Sequence, residues 1–388
     1  MDGKWSDAAA CAEVGASTDA RSETNVKATE QLQRLGQSLW LDNITRGLLT
    51  SGTLARYIRE LSVTGLTSNP SIFDHAIGNT GFYDDAIRGK LDGSHTSEEL
   101  FFQLALEDLT KAADLFRPIH DSTGGMDGWV SLEVSPLLAD DPEKTLEAAK
   151  QLFASANRPN LFIKIPGTAR GLGAVEDAIF SGVPVNVTLL FSRDQYLKAA
   201  QAYMRGIERR IRAGLSPAVG SVASIFISRW DKAIVGKEPD GLKNRLGLAI
   251  AGQAYRAYRD LLISPPWAKL AAQGARTQRL LWASTGTKDP KAPDTLYISG
   301  LAAPDTVNTM PEATLLAFAD HGQVPNALPV DGGDYETVLD RFASGGIDAC
   351  KLAEQLQREG AEAFVKSWND LMLCIESKAH AVGAGARG

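Results

Sequence analysis

Short runs of β-branched and large apolar residues recur along the chain, and a longer stretch with helical periodicity lies between most of them. The runs are SLWLDN (38–43), VTGLTSN (63–69), WVSLEVS (129–135), NLFIKIP (160–166), VPVNVTLLF (183–191), SVASIFIS (221–228), RLLWAST (279–285) and TLYISGL (295–301). This alternation is typical of βα units that build a parallel sheet. It therefore predicts an α/β fold with parallel strands.

Eight strands with crossover helices fit a closed (β/α)8 TIM barrel better than an open doubly wound sheet. Neither a GxGxxG motif nor a P-loop follows the first run, although an open dinucleotide-binding sheet carries such a glycine-rich turn. One spacing is irregular, because only about ten residues separate the seventh run from the eighth, too few for an ordinary crossover helix. Either one of these runs is not a barrel strand or the connection is abbreviated.

The stretches between the runs predict helices, and the chain stays helical in character beyond residue 304. We expect helices at 97–116, 141–156, 192–214 and 245–263, then at 311–322, 335–346 and 347–382, with long connections at 70–97 and 117–128. The last three helices are expected to pack on the barrel exterior or to cap one mouth. No linker divides the chain, so we expect one barrel domain over 28–382 after a flexible segment over 1–27.

Composition excludes several classes of function. The net charge is −7 and like charges form no block, which disfavours a nucleic-acid or anionic-membrane surface. The first 27 residues contain no apolar core typical of a signal peptide, and no later run reaches transmembrane length, so we expect a soluble cytoplasmic protein. The three cysteines and five histidines form no CxxC or HxxxH pattern, which disfavours a disulfide scaffold or a structural zinc site.

Polar residues interrupt or end most of the apolar runs, where a parallel barrel carries its catalytic groups. They are Asp42, Asn69, Glu133, Lys164, Asn186, Thr188, Ser224, Arg229 and Ser284. Lys164 constrains the chemistry most, since apolar residues flank it in LFIKIP and lysine is rarely buried unless it is paired or catalytic. Desolvation would lower its pKa and yield an amine able to attack a carbonyl. An edge-strand lysine or an ion pair with Glu133 remains an alternative.

The other strand-end residues admit both catalytic and structural interpretations. Asp42 and Glu133 provide two carboxyl groups at the same mouth, which can hold opposite protonation states or can simply balance Lys164. Neutral groups such as Asn69 and Asn186 suit the hydroxyls of a polyol, although each alone is more often a turn or cap residue. Arg229 suits a phosphate group or a surface acid such as Asp231.

Taken together, these segments resemble the transaldolases, and in particular the longer bacterial subfamily, from about residue 28 to 376. The resemblance rests on LDNITR (41–46), TSNPSIF (67–73), SLEVSP (131–136), IKIPGT (163–168), NVTLLFS (186–192), ASTGTK (283–288) and PDTVNTMPEATL (304–315), which occur in the family's order. It implies a class I aldolase barrel whose strand order is permuted relative to other class I aldolases, preceded by an N-terminal helix for which residues 25–37 are the candidate.

The resemblance also implies a role for each site residue. Lys164 would form an imine with the ketose carbonyl, and Asp42 would take the proton of the C4 hydroxyl during cleavage. Glu133 would act with Thr188 through a shared water, while Asn69 and Asn186 would hold hydroxyls. The implied phosphate end comprises Arg229, Ser224, Phe226 and Ser284. Shorter transaldolases have an arginine two residues after the serine that aligns with Ser284, whereas this chain reads STGTK, so we expect Lys288 to supply the second positive charge.

The implied reaction is ping-pong transfer of a dihydroxyacetone unit between sugar phosphates. It needs no metal or other cofactor, because the protonated imine is the electron sink. A fructose-6-phosphate aldolase, in which water releases free dihydroxyacetone, is an alternative enzyme, and a non-catalytic sugar-phosphate-binding barrel is an alternative of another class. The sequence leaves open whether the chain is a monomer or a homodimer, and whether it associates with a separate isomerase.

Overall fold

The computed structural model describes residues 26–91, 95–324 and 326–385, and within them the chain forms a closed barrel of eight parallel strands. The strands are β1 (Ser38–Asp42), β2 (Val63–Thr67), β3 (Val130–Glu133), β4 (Leu161–Pro166), β5 (Val185–Leu190), β6 (Ser221–Phe226), β7 (Gln278–Ala283) and β8 (Val307–Met310). They follow one another around the barrel in sequence order, and β8 pairs with β1 to close it. The predicted (β/α)8 class is therefore confirmed.

Helices connect the strands and continue after the last one. They are α1 (Ala28–Leu35), α2 (Arg46–Thr50), α3 (Thr53–Glu60), α4 (Pro70–Gly78), α5 (Asp84–Arg88), α6 (Ser97–Ser122), α7 (Pro142–Ala156), α8 (Gly171–Ser181), α9 (Arg193–Arg212), α10 (Ser228–Ala233), α11 (Leu246–Leu262), α12 (Pro265–Ala271), α13 (Leu296–Gly300), α14 (Glu312–His321), α15 (Tyr335–Ser344) and α16 (Ala349–Gly385). A short 3-10 turn covers Pro136–Leu138. None of the helices described is long and apolar enough to cross a bilayer.

The eighth predicted strand was wrong. Residues 295–301 contain α13 rather than a strand, and β8 lies further along, at Val307–Met310, where helical character was expected. A parallel neighbour of β7 needs a connection that crosses the barrel exterior, and α13 lies within that connection. The polar residues Asn308 and Thr309 interrupt the apolar pattern of β8 in the sequence, yet all four residues of this strand are buried.

Several helices differ in extent from those predicted from the sequence. The helix expected at 97–116 extends to Ser122 and contains Pro118, so it occupies part of the connection expected at 117–128. The connection expected at 70–97 contains α4 and α5. The N-terminal helix expected at 25–37 is α1, which ends at Gly36 in the left-handed region, with φ of 96°. The predicted flexible segment 1–27 lies, up to residue 25, outside the described residues.

Aromatic side chains fill the barrel interior at the level below the ends of the strands. Trp40 and Phe162 lie two positions before Asp42 and Lys164, and alternate residues of a strand point to the same side of the sheet. The Trp129 ring stacks on Phe162 with centroids 3.9 Å apart, and Trp40 lies 6.1 Å from Phe162. These rings form an apolar floor beneath the polar residues of the mouth.

Helix α16 closes the mouth from above, one of the two placements that the sequence left open. The Gln357 amide donates to the carbonyl oxygens of Gly167 and Leu189, at 3.2 and 2.9 Å, which fixes the helix to the ends of β4 and β5. At the end of β2, Ser71 of α4 donates to Ser367 at 2.9 Å. Contacts with two separate parts of the rim hold α16 across the opening.

Gly65 of β2 provides a test of the packed floor. A Cβ atom at this position would lie 2.7 Å from the Trp129 carbonyl oxygen and 2.7 Å from the Trp40 indole. We expect Gly65→Ala to lower the free energy of unfolding by about 1–3 kcal/mol, because neither neighbour can move freely. Gly173→Ala on α8 is the control, since nothing lies within 4 Å of its added Cβ. Equal urea midpoints for both variants would contradict a tightly packed floor.

Candidate active site

A cavity of about 260 Å³ lies at the carboxyl ends of the strands, beneath α16. Ten of the eleven residues singled out from the sequence line it: Asp42, Asn69, Lys164, Asn186, Thr188, Ser224, Phe226, Arg229, Ser284 and Lys288. The eleventh, Glu133, lies beside the cavity next to Lys164. The structure thus brings together residues that come from seven different strand ends.

Lys164 and Glu133 form the most deeply buried charged pair of the site. They are register partners on β4 and β3, and the Lys164 Nζ atom lies 3.6 Å from Glu133 Oε2. The same Nζ donates to the Ser68 carbonyl oxygen at 2.9 Å and lies 5.8 Å from the centre of the Phe364 ring. Both side chains are almost fully buried, so Lys164 is not the solvent-facing edge lysine of the alternative interpretation.

Burial raises the pKa of Glu133 to about 7. Desolvation of the carboxylate is the main cause, and the negative charge of Asp42 adds to it, whereas the Lys164 ammonium acts in the opposite direction. Neither carboxyl oxygen has a hydrogen-bond partner among the described residues, and the same is true of the buried Thr188 hydroxyl. Buried polar groups without protein partners are typical sites for ordered water or for a polar group of a ligand.

Asp42 lies at the end of β1 with a different set of neighbours. Burial raises the pKa of Asp42, and three contacts oppose this effect: the Lys164 charge, a hydrogen bond from Thr67 and the Lys288 charge. The Thr67 hydroxyl lies 2.8 Å from Asp42 Oδ1 and also 2.8 Å from the Thr309 hydroxyl. The two carboxyl groups thus differ in the contacts that stabilise their ionised forms.

Hydrogen bonds fix the orientation of the neutral residues. The Ser224 hydroxyl donates to Asn186 Oδ1 at 2.7 Å, and Asn186 Nδ2 donates to Ser131 at 3.2 Å. Asn69 caps α4, since its Oδ1 atom accepts the Ile72 N–H at 3.1 Å. Asn69 is therefore both a helix cap, as its position before proline suggested, and a residue of the cavity wall.

Arg229 and Lys288 bring positive charge to the wall of the cavity. Arg229 lies over the Phe226 ring at 5.8 Å, and burial lowers the pKa of its guanidinium, with the Glu359 charge opposing this. Arg229 forms no ion pair with a carboxylate in the described part of the chain, and Asp231 instead accepts hydrogen bonds from Tyr297 and from the N–H groups that begin α11. The charge of Arg229 is thus available to an anion. The alternative, an ion pair between Arg229 and Asp231, does not occur in the structure.

The backbone of Ser284, next to the charge of Arg229, is locally strained. Its φ of 55° is left-handed and uncommon for a residue other than glycine. Its hydroxyl lies 3.0 Å from that of Ser228, and its carbonyl oxygen accepts the Ser228 N–H at 3.0 Å. Strained backbone of this kind clusters at functional sites, where surrounding contacts hold it.

The cavity wall also contains residues that the sequence did not single out. They are Thr67, Pro70, Ser71, Ala283, Gly286, Thr309, Pro311, Ala363, Phe364 and Ser367. Three of these belong to α16, whose periodicity indicates a helix but not the surface that it covers. Thr67 is the last residue of β2 and Thr309 is the last but one of β8. A search for polar residues near strand ends would have found Thr309 if β8 had been placed correctly.

The described residues contain no group of three or more histidines, cysteines or acids placed to hold one metal ion. The charged residues of the cavity wall are Asp42, Lys164, Arg229 and Lys288, and Glu133 lies next to Lys164. Such a set can bind a phosphorylated, hydroxylated substrate and move protons around a carbonyl carbon.

Comparison with known proteins places this set in a family. A family model described as Transaldolase/Fructose-6-phosphate aldolase matches residues 39–375. The chain belongs to this family. Curated proteins named transaldolase are similar over almost the whole chain: one from Parafrankia sp. is 42% identical and aligns over 91% of this chain and 98% of its own. Relatives from Thermobifida fusca and Neisseria gonorrhoeae are each 43% identical over 88% of this chain and cover 96% and 97% of their own.

The transaldolase/fructose-6-phosphate aldolase family model spans every one of the eleven residues and also the part of α16 that roofs the cavity. The roof is therefore part of the family's common chain rather than an extension beyond it.

The pKa of Glu133 provides a test of the buried pair. We expect the carboxyl group of Glu133 to titrate near pH 7, and Lys164→Met to raise that midpoint because the variant removes the cation that favours the carboxylate. Carboxyl carbon chemical shifts in glutamate-labelled protein, assigned with Glu133→Gln, measure it. Lys366→Met, which removes an exposed lysine of α16 paired with Asp370, should leave it unchanged. A lower midpoint in Lys164→Met would contradict the electrostatic coupling.

Proposed function

We propose that the protein is a transaldolase in which Lys164 carries the substrate as an imine. It would transfer a dihydroxyacetone unit from a ketose phosphate, sedoheptulose 7-phosphate or fructose 6-phosphate, to an aldose phosphate, glyceraldehyde 3-phosphate or erythrose 4-phosphate. The observation that carries this proposal is the buried Lys164 amine, 3.6 Å from a carboxyl group with a pKa of about 7. A carboxylate at this distance can accept the lysine proton and return it later.

In the first half-reaction, Glu133 takes a proton from Lys164 and the neutral amine attacks C2 of the ketose. A proton then moves from the attacking nitrogen to the former carbonyl oxygen, which gives the neutral carbinolamine. Glu133 then protonates the carbinolamine hydroxyl, which leaves as water while the nitrogen lone pair completes the C=N bond. The Thr188 hydroxyl, buried and without a partner in the described residues, is the second group for this water. A pKa near neutrality suits a group that must both accept and donate a proton.

Carbon–carbon cleavage requires a second base. Asp42 takes the proton of the C4 hydroxyl, the C3–C4 bond breaks as the aldehyde forms, and its electron pair moves through C2 to the protonated imine nitrogen. The aldose phosphate leaves and the dihydroxyacetone enamine stays on Lys164. Asn69 and Asn186 hold the hydroxyls of this fragment, and addition to a second aldose phosphate reverses the sequence.

The phosphate group would bind at the positively charged part of the cavity wall. Arg229 supplies a guanidinium already free of carboxylate partners in the described residues, and the hydroxyls of Ser224 and Ser284 provide further donors. Phe226 packs beneath the guanidinium. Lys288 lines the same cavity and takes the part of the arginine that shorter transaldolases have after the serine.

The proposal extends to the location, assembly and domain organisation of the protein. Charged sugar phosphates do not cross bilayers readily, and Cys350 and Cys374 are unpaired, which support a cytoplasmic enzyme. One apolar core includes both Ala28 and Val382, which supports a single domain over 28–382. We propose that nucleic acids and membranes are not partners and that the protein acts as a monomer or homodimer.

Two experiments separate this proposal from its alternatives. A fructose-6-phosphate aldolase would release free dihydroxyacetone at the same rate with or without an acceptor aldehyde, whereas a transaldolase turns over only when an acceptor is present. A non-catalytic barrel would bind the sugar phosphate and form no covalent adduct.

Covalent trapping tests the nucleophile directly. Incubation with fructose 6-phosphate and borohydride should attach a reduced three-carbon fragment to the peptide that contains Lys164, as read by mass spectrometry after proteolysis. Lys164→Ala should fold normally by circular dichroism and lose both adduct and turnover. Lys366→Ala, an exposed lysine of α16, is the control. An adduct on another lysine, or binding without any adduct, would refute the assignment.

Asp42→Ala should separate the two chemical steps. We expect imine formation to survive, because Asp42 is not the proton acceptor for Lys164, while cleavage slows by about 10²-fold or more through loss of the general base. Trapping with borohydride would then yield an adduct of the whole six-carbon ketose instead of the three-carbon fragment. Equal loss of both steps would assign Asp42 a different role.

Arg229→Ala should weaken binding of the phosphate group. We expect KM for fructose 6-phosphate to rise about tenfold or more while kcat changes less, since a charge-assisted hydrogen bond is lost. Unphosphorylated fructose should react equally in both proteins. The control is Arg212→Ala, whose side chain is exposed and pairs with Glu208. An unchanged KM would remove Arg229 from the phosphate site.

A further inference from the structure

A second pocket of about 440 Å³ lies beside the substrate cavity, between the barrel rim and α16. Its wall consists of Glu133 and residues that follow β3, of Pro166 and Leu189, and of Ala361, Glu362, Phe364 and Val365 of α16. We call it the side pocket. It reaches the protein surface, since Leu137 and Asp140 in its wall are exposed.

Glu133 lies in the wall of the side pocket and not in that of the substrate cavity. Its two carboxyl oxygens are buried and lack hydrogen-bond partners among the described residues. A carboxyl group in this state needs water or another polar group beside it, because leaving it unsatisfied is costly. The side pocket is the space next to Glu133 that a substrate in the cavity does not occupy.

Phe364 separates the two spaces. Among the residues described, it is the one that lines both the cavity and the side pocket, and its ring centre lies 5.8 Å from Lys164 Nζ. The helix that carries it is fixed close by, where Gln357 bonds to the ends of β4 and β5 and where a Cβ on Gly360 would lie 3.0 Å from Leu189. The Phe364 ring thus separates the two spaces, and the contacts of α16 hold it in place.

We propose that the side pocket is the route by which water leaves and reaches the carboxyl group of Glu133, and that Phe364 keeps this water out of the substrate cavity. The inference rests on the imine chemistry of the proposed function. Each imine formation releases one water and each imine hydrolysis consumes one, while a bound sugar phosphate fills the cavity. A water needs about 30 Å³, which the side pocket exceeds several times.

Glu133 supplies the proton for loss of water from the carbinolamine and takes it back during hydrolysis. The protonated carboxyl group donates its proton to the carbinolamine hydroxyl, the C2–O bond breaks, and the nitrogen lone pair forms the C=N bond, which leaves water and a carboxylate. Hydrolysis runs the same step backwards, with Glu133 as the base for a water that returns from the side pocket. Neither direction requires water to pass through the phosphate end of the cavity.

The partition has a second consequence for the enamine on Lys164. Water that reaches the enamine carbon with a proton would convert the enamine to an imine of dihydroxyacetone, and hydrolysis would then release the free triose. A ring at the boundary protects the enamine until an acceptor aldehyde arrives. Phe364 therefore favours transfer of the dihydroxyacetone unit to an acceptor over its release as free dihydroxyacetone.

Narrowing the side pocket from either wall tests the route. Ala361→Trp fills it from α16, and Ala139→Phe fills it from the segment after β3; Leu373→Trp, at an exposed position of the same helix, is the control. The measurements are exchange of ¹⁸O from labelled water into the C2 carbonyl of fructose 6-phosphate, and the single-turnover rate of borohydride-trappable imine. We expect both to fall about tenfold in the two filled variants, with KM and circular dichroism unchanged and the control as wild type.

Removing the partition tests the other half of the proposal. Phe364→Ala should increase release of free dihydroxyacetone in the absence of an acceptor, relative to transfer. Wild-type exchange rates in both filled variants would overturn the route, and an unchanged ratio of release to transfer in Phe364→Ala would overturn the partition. A wild-type protein with no exchange and no trapped adduct would instead contradict the proposed function, so the two failures are distinguishable.

Discussion

The site depends on the burial of one amine beside one carboxyl group inside the rim of a barrel. Parallel pairing sets this arrangement, because β3 and β4 place Glu133 directly opposite Lys164 in the register. Neither group can be ionised at low cost without the other, since desolvation penalises an isolated charge. In the proposed mechanism, Glu133 is the adjacent group that accepts the Lys164 proton when the amine acts as the nucleophile.

The barrel provides the surroundings that this pair needs. Residues two positions apart on a strand face the same way, so β1 and β4 each present an aromatic ring below and an ionisable group above, as Trp40 and Asp42 or Phe162 and Lys164. The rings exclude water from beneath the site, and α16 covers it from above. A low-dielectric enclosure of this kind strengthens every electrostatic contact within it.

The sequence predicted the parts of the fold that arise from local pattern. Alternating apolar runs and helical stretches predicted the barrel, and polar interruptions of those runs predicted the residues at its mouth. The pattern failed at β8, because Asn308 and Thr309 are polar residues whose burial only the closed barrel explains, while the apolar segment at 295–301 contains the helix α13. Burial in such cases depends on tertiary neighbours that a single segment does not encode.

The position of helix α16 is a second feature that the sequence alone could not predict. Its periodicity predicts a long amphipathic helix, but an apolar face can cover the barrel wall or its mouth equally well. The contacts that decide between them, Gln357 with the rim of β4 and β5 and Ser367 with α4, join residues more than 160 positions apart. The contribution of Phe364 to the site therefore became visible only in the structure.

The two carboxyl groups at the centre of the site are distinguished by what opposes the effect of burial on each. Among the described residues, Lys164 is the one charge that opposes this effect for Glu133, and no hydrogen bond from a neutral group stabilises the ionised form of Glu133. Asp42 has the same lysine together with the Thr67 hydroxyl and the Lys288 charge. In the proposed mechanism Lys164 becomes a protonated imine whose positive charge stays near both groups, so Asp42 would keep the contacts that favour a base. Glu133, with fewer such contacts, is the group better able to hold a proton and release it again. The division of labour between one proton carrier and one base thus follows from unequal surroundings, although the two side chains carry the same functional group.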